Sequence, residues 1–259
     1  MRLRVYAIAF LFFAIAAAFL GSILRTVEPS SLLSALASHT FLSALFLSLV
    51  AAFAGSLISF LPSLLTGYFL ARFDFFGKSV LQVLVILPYS VTPVAVGSLV
   101  LLFLASDGLG KTLDSALGLL FTIKGATLVQ GILSYSIMSD VFAQVFSSID
   151  EEYEELARTM GYGRLSTLFR ILTPMARRGI VEGYLLGFLK AFTDFGATVM
   201  VAGAIIGKTA TIPISIYILM NSGDVSGALS LIVVSFLISA LLTYSIRASG
   251  YMRRRENVG

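Results

Sequence analysis

Long stretches without a charged side chain leave this chain few ways to fold. Val5–Leu24 carries none and is flanked by Arg4 and Arg25. About twenty apolar residues in one helix cross the hydrocarbon core of a bilayer. Comparable runs lie within Thr40–Ala71, Ser79–Ser106, Gly125–Ser148, Gly179–Val201 and Gly227–Ile246. A soluble domain of this length would need much more polar surface than a chain with 58% hydrophobic and 12% charged residues provides. The expectation is an all-α polytopic membrane bundle of about six transmembrane helices, forming one domain over residues 1–259. Val5–Leu24 exceeds the apolar core of a signal peptide, so it reads as a retained first span.

Lysine and arginine orient the spans. With the N-terminus in the cytosol, thirteen of them fall on the cytosolic side, among them Arg2, Arg4, Arg72, Lys78 and the arginines from Arg158 to Arg178 and Arg247 to Arg255. Arg25, Lys111, Lys124 and Lys208 fall on the other side, and Lys190 lies within a span. The positive-inside rule then places both termini and residues 149–174 in the cytosol of a multi-pass cell-membrane protein. Cysteine is absent and His39, read as a loop residue, is the single histidine, which excludes zinc-thiolate sites, thiol nucleophiles and multi-histidine metal sites. No basic and aromatic cluster suggests nucleic acid. The phosphate-loop fragments DGLGKT (107–112) and GAIIGKT (203–209) both miss the full spacing, so no cofactor is expected on this chain.

The segment EEYEELARTMGYGRLSTLFRILTPMARR (151–178) concentrates charge between two apolar runs. Ser148 and Glu151 fit a capping box, and Glu151, Glu152 and Glu154 suit a helix N-terminus. Tyr153, Leu156, Ala157 and Met160 recur at helical spacing as one apolar face. Gly161 and Gly163 end that helix. Leu165, Leu168, Phe169 and Leu172 repeat the spacing, and Thr173 can cap a third helix with Pro174 in its first turn. These faces need a partner: the protein's own helix ends, the lipid interface, or a cytosolic subunit.

The stretch ELARTMGYGRLSTLFRILTP resembles the signature loop of ABC-importer permeases: Glu-Ala-Ala, three residues, Gly, nine residues, Ile, any residue, Leu-Pro. Glu155, Leu156, Ala157, Gly161, Ile171 and Pro174 keep that spacing, while Leu156 stands for the first alanine and Thr173 for the leucine. The resemblance implies the type I importer permease fold and a coupling helix seated in a groove of a separate ATP-hydrolysing subunit. Tyr153, Met160, Leu165 and Phe169 are its contact candidates. It also implies a homodimer, two cytosolic ATPases that carry ATP and Mg, and an external oxyanion-binding protein. This chain would then not be an enzyme.

Over roughly residues 40–246, LPYSVTPVAVGSLVLLF (87–103), FTDFGATVMVAG (192–203) and KTATIPISIYILMNSGDVSGAL (208–229) resemble the molybdate and tungstate subgroup. Sulfate and thiosulfate permeases share much of this pattern and stand as the alternative substrate class. Small hydroxyl and backbone donors at helix breaks can guide an oxyanion without trapping it. Ser90, Thr92 and a backbone expected to be broken around both Pro88 and Pro93 supply such donors, and Asp194, Phe195 and Gly196 hold the family's acidic-Phe-Gly segment, with Asp194 where glutamate is usual. Ser90, Thr92, Pro93, Asp194, Phe195 and Gly196 are the candidates for the translocation path or gate.

Lys190 and Asp194 stand four apart on one helix face and read as a structural ion pair or a gate element, with Asp140 as another partner. The same intramembrane charges would serve a proton-coupled transporter, a rival that gives the 151–178 segment no task. Gly179, Gly183, Gly187 and Ala191 form a small-residue stripe, for a dimer seam or for packing within one bundle.

Overall fold

The computed structural model describes residues 37–256, with side chains to 246, and three isolated positions nearer the N-terminus. Apart from those three positions, the expected first span, Val5–Leu24, lies outside the described residues. Helix α1 (His39–Arg72) starts where the Ser38 hydroxyl accepts the Phe41 N–H at 3.1 Å. His39, expected in a loop, is its first residue, and Pro62 sits within it. At about 1.5 Å per residue, its 34 residues outrun a hydrocarbon core of about 30 Å. A helix this long must tilt or extend past the apolar layer, and Arg72 is its last residue.

The third apolar run is broken. Helices α2 (Lys78–Ser90) and α3 (Pro93–Ala105) meet at a 105° bend. Val91 and Thr92 are extended, as suits residues ahead of a proline, and Pro93 occupies the first turn of α3, where its missing N–H costs nothing. Pro88, expected to share the break, instead stays inside the last turns of α2, so the chain breaks only ahead of Pro93. Helix α4 (Leu109–Leu117) leads into α5 (Ile123–Ser147).

Helix α5 is the hub and packs against α1, α2, and two later helices, α8 (Arg177–Phe192) and α9 (Gly196–Ala202). It buries Gln130, Ser134, Ser136 and Ser139. Hydroxyls stitch the contacts: Ser136 Oγ donates to the Val85 carbonyl, Ser134 Oγ to that of Gly187, and Ser59 Oγ on α1 to that of Gly131, each at 2.7 Å. Such bonds suit a medium in which apolar packing alone gives helices no preference for each other over lipid.

The stripe of small residues on α8 serves this same seam. A Cβ built on Gly179, Gly183 or Gly187 would fall within 2.7 Å of Val145, Phe142 or Met138, all on α5. Of the two roles open to the stripe, these contacts assign packing within one bundle. The fifth apolar run also breaks: α8 and α9 are bent by 59° at Thr193–Phe195. Helices α10 (Ile212–Asn221) and α11 (Val225–Glu256) complete the described bundle. By length and composition, α1 and Val225–Ile246 each suffice to cross a bilayer, and counting each bent pair as one span gives up to five among the described residues.

Candidate functional site

Two places gather the candidate residues. At the end of the bundle where α1 finishes, helix α6 (Glu152–Thr159) follows α5 after a 77° turn. The expected capping box does not form. Ser148 has a helical backbone and its hydroxyl donates back to the Val145 carbonyl at 2.7 Å, whereas a capping residue needs extended geometry. Asp150 Oδ1 instead accepts the Glu152 N–H at 3.2 Å.

The far end of α6 closes as a Schellman motif. The N–H of Tyr162 reaches the Ala157 carbonyl and that of Gly161 the Arg158 carbonyl, both at 3.0 Å. Gly161 takes φ +84°, a conformation that side-chain-bearing residues rarely adopt. Gly163, by contrast, is extended and precedes α7 (Arg164–Thr167). A π turn over Leu168–Leu172 and a short helical turn over Thr173–Met175 continue the same helical path to α8. Because the path is continuous, Thr173 does not cap a new helix, and its buried hydroxyl finds no partner.

The single apolar face expected from spacing is two faces. Ala157, Leu168 and Leu172 point inward and are buried, the two leucines among Tyr68, Met138, Phe142 and Phe146. Tyr153, Leu156, Met160, Leu165 and Phe169 point outward, from 44% exposed at Phe169 to 73% at Met160. Glu155, Gly161 and Pro174 are exposed too, and Ile171 is half-buried. Glu154, read from sequence only as a helix-start carboxylate, is buried against α1. No spacing signal could have found it, since its partners Tyr68 and Arg72 lie 86 and 82 residues away.

The second place lies where the two helix breaks meet. A Cβ on Gly196 would come within 2.9 Å of the Val94 nitrogen and 3.3 Å of the Pro93 side chain. One residue-turn further, Gly97 of α3 faces Ala197 of α9 equally closely. The sequence candidates Pro93 and Gly196 are thus in contact. Ser90 and Thr92 are exposed at the first break, and the Ser90 hydroxyl is turned back to the Ile86 carbonyl at 3.2 Å. The Phe195 ring packs 5.3 Å from that of Tyr217.

Asp194 is buried at the second break, where its Oδ2 accepts the Thr198 N–H at 2.8 Å and the Thr198 hydroxyl at 2.7 Å. Gln130 Nε2 on α5 donates to that same hydroxyl oxygen at 3.0 Å. Asp194 Oδ1 and Gln130 Oε1 are buried without protein partners. The expected Lys190–Asp194 ion pair is not made. Asp194 is turned toward the start of α9, and the Lys190 ammonium lies 5.6 Å from the centre of the Tyr89 ring. Asp140 accepts from Gln144 on its own helix at 2.9 Å. Sequence reasoning missed Gln130 because a lone amide in an apolar run has no periodic signature. Among the described residues, no three His, Cys, Asp or Glu side chains gather as a metal site.

A bundle of broken apolar helices, capped at one end by an exposed two-helix loop, defines a polytopic membrane-protein architecture. Residues 63–250 match the binding-protein-dependent transport system inner membrane component family, and the chain belongs to that family. It is therefore a permease subunit, without a catalytic site of its own. Among curated proteins, the molybdenum transport system permease protein ModB of Escherichia coli K12 is 33% identical over 198 residues, 74% of this chain and 85% of that protein. The sulfate transport system permease protein CysW of Synechocystis is 29% identical over 211 residues, 81% of this chain and 76% of that one. The crystal structure of a bacterial ABC transporter involved in alginate import superposes with a TM-score of 0.71 at 18% identity, covering 95% of this chain and 92% of that one. That likeness agrees with the importer permease fold.

Proposed function

We propose that this chain is the membrane subunit through which an ATP-driven importer admits a tetrahedral oxyanion, molybdate or tungstate. It works as one permease domain, in a homodimer with two cytosolic ATPases and an external binding protein. Both termini and residues 149–174 face the cytosol. Permease membership and the similarity to ModB support this substrate class. The similarity to CysW keeps sulfate as the second reading. The proton-coupled alternative loses its ground with the family assignment.

The observation that carries the coupling role is the outward ridge of Tyr153, Leu156, Met160, Leu165 and Phe169 on a loop with the family's spacing. Large apolar side chains this exposed at the charged end of a membrane protein suit an amphipathic helix seated in a partner's groove. Glu155, Ala157, Gly161, Ile171 and Pro174 set the loop's shape. Closure of the ATPases would draw the two loops together and shift the bundle from inward to outward access. At the meeting of the breaks, Ser90, Thr92, Pro93, Asp194, Phe195 and Gly196 line or gate the path of the anion.

The test is Gly161→Val. No neighbouring atom lies within 4 Å of a built Cβ there, so the change strains only the backbone of the loop, by about 1–3 kcal/mol. The variant should insert in the membrane yet lose ATPase co-purification and molybdate uptake. Wild-type uptake would remove the loop from the mechanism. Measuring which of molybdate, tungstate and sulfate the cognate binding protein retains decides the substrate.

A further inference from the structure

The outward ridge explains how a partner could grip the loop, but not how its movement would reach the bundle. The inward face supplies the connection. Arg72, the last residue of α1, and Glu154 form an ion pair whose side chains are 6% and 7% exposed. Arg72 Nε–H donates to Glu154 Oε1, and its Nη2–H donates to the Ile149 carbonyl at 2.8 Å. One turn earlier on α1, the Tyr68 hydroxyl donates to Glu154 Oε2 at 3.1 Å. Both oxygens of the carboxylate are therefore held by α1. Beside them the Arg164 guanidinium lies 4.9 Å from the centre of the Phe73 ring. These charged contacts from both helices of the loop land on residues 68–73.

Geometry makes this a linkage and not merely an anchor. Glu154 and Ala157 occupy the inner side of α6, and Tyr153, Leu156 and Met160 the outer side of the same two turns. A short helix moves as a unit, so displacing its outer side must drag the carboxylate. A multidentate, charge-assisted contact resists both rotation and separation. A buried ion pair adds little net stability, but losing one partner leaves the other charge stranded, so the pair holds its geometry. Helix α1 is in turn seated on α5. A Cβ on Gly55 would lie 2.7 Å from the Thr127 carbonyl, and one on Gly67 would lie 2.5 Å from the Phe142 Cβ.

We infer that Glu154 and Arg72 are positioning residues for transport: they transmit displacement of the loop's outer face to α1, and take no part in binding the ATPase. The inference rests on the loop being the ATPase docking surface. Tyr68 assists by fixing the second carboxylate oxygen.

The test uses the full complex of this chain, its ATPase and its external binding protein in lipid vesicles, with molybdate as the probe. Three quantities are read: ATPase retained per permease, ATP hydrolysed, and molybdate imported per ATP. Glu154→Gln keeps the side-chain shape and removes the charge. It should retain the ATPase within about twofold of the unaltered chain while molybdate per ATP falls by about tenfold or more. Arg72→Lys keeps the charge and should lie between the two. Tyr68→Phe should lower the ratio by about threefold with ATPase retention unchanged.

An unaltered ratio in Glu154→Gln would overturn the inference. So would ATPase retention and import falling in parallel, which would make Glu154 a docking residue. If Glu154→Gln does not accumulate in the membrane, Tyr68→Phe decides alone, and a wild-type ratio there overturns the proposal. Failure of the unaltered chain to retain an ATPase would sink the docking reading and this inference together. That result is distinct from a loss of coupling confined to the variants.

Discussion

Among the described residues two carboxylates are buried, and the structure treats them in opposite ways. Glu154 lies under the loop with a guanidinium on one oxygen and a phenol on the other, both from a helix more than eighty residues away in sequence. Asp194 lies at the meeting of two helix breaks, where its bonds go to Thr198, four residues on, and one oxygen has no protein partner. The first joins distant segments with matched charge. The second shapes a local turn with neutral donors. Burial alone says little about a carboxylate's task; the sequence distance and charge of its partners say more.

The contrast is sharpest in stability. Arg72→Ala leaves the Glu154 charge buried without a cation and should cost about 3–5 kcal/mol. Thermal unfolding in detergent measures it, and a melting point near that of the unaltered protein would erase the distinction between the two sites. Asp194→Ala removes an acceptor from the Thr198 N–H and hydroxyl and should cost less, about 1–3 kcal/mol. Asp194→Asn keeps an acceptor for the Thr198 N–H and should cost under about 1 kcal/mol. A loss as large as that of Arg72→Ala would mean that the negative charge itself is needed at the break.

The smallest effect is expected at Lys190. The residue is half-buried and its ammonium lies 5.6 Å from the centre of the Tyr89 ring, so Lys190→Ala should cost about 0.5 kcal/mol, the low end for a cation–π contact. The double variant Lys190→Ala/Asp194→Ala should equal the sum of the singles within about 0.5 kcal/mol. A double variant milder than Lys190→Ala alone would restore the direct ion pair that the i, i+4 spacing suggested.

Legibility followed the range of the interactions. The apolar runs placed α1, α5 and α11 because burial in lipid is written locally in every residue, but the runs 79–106 and 179–201 each split at a break and α10 (Ile212–Asn221) fell in none of them. Gly161 was legible as a helix stop because a left-handed turn demands its own residue type at a fixed offset. Pro93 marked a break because a proline has no N–H to continue a helix and holds the residue before it extended. The division of the loop into inner and outer faces was not legible. Leu168 and Leu165 are the same residue type, and only the presence of Phe142 and Phe146 opposite one of them decides which is buried. Glu154 and Gln130 were missed because their partners come from distant segments. The Lys190–Asp194 pair was overread because the helix carrying Lys190 stops at Phe192, before the acid is reached. Helical spacing holds only while the helix does.

The π turn at Leu168–Leu172 has a consequence for how the loop can change length. A π turn accommodates one residue more than the α-helical path around it. Deleting one residue there would let the turn close as an ordinary α-helical one with its flanks nearly in phase, whereas a deletion within α7 (Arg164–Thr167) would swing the two sides by about 100° relative to each other. Phe169 would then no longer crest the same side as Met160, although every side chain of the ridge would still be present. The register of the segment is thus as much a part of its surface as its composition: a single deletion should be tolerated within Leu168–Leu172 and not within α7.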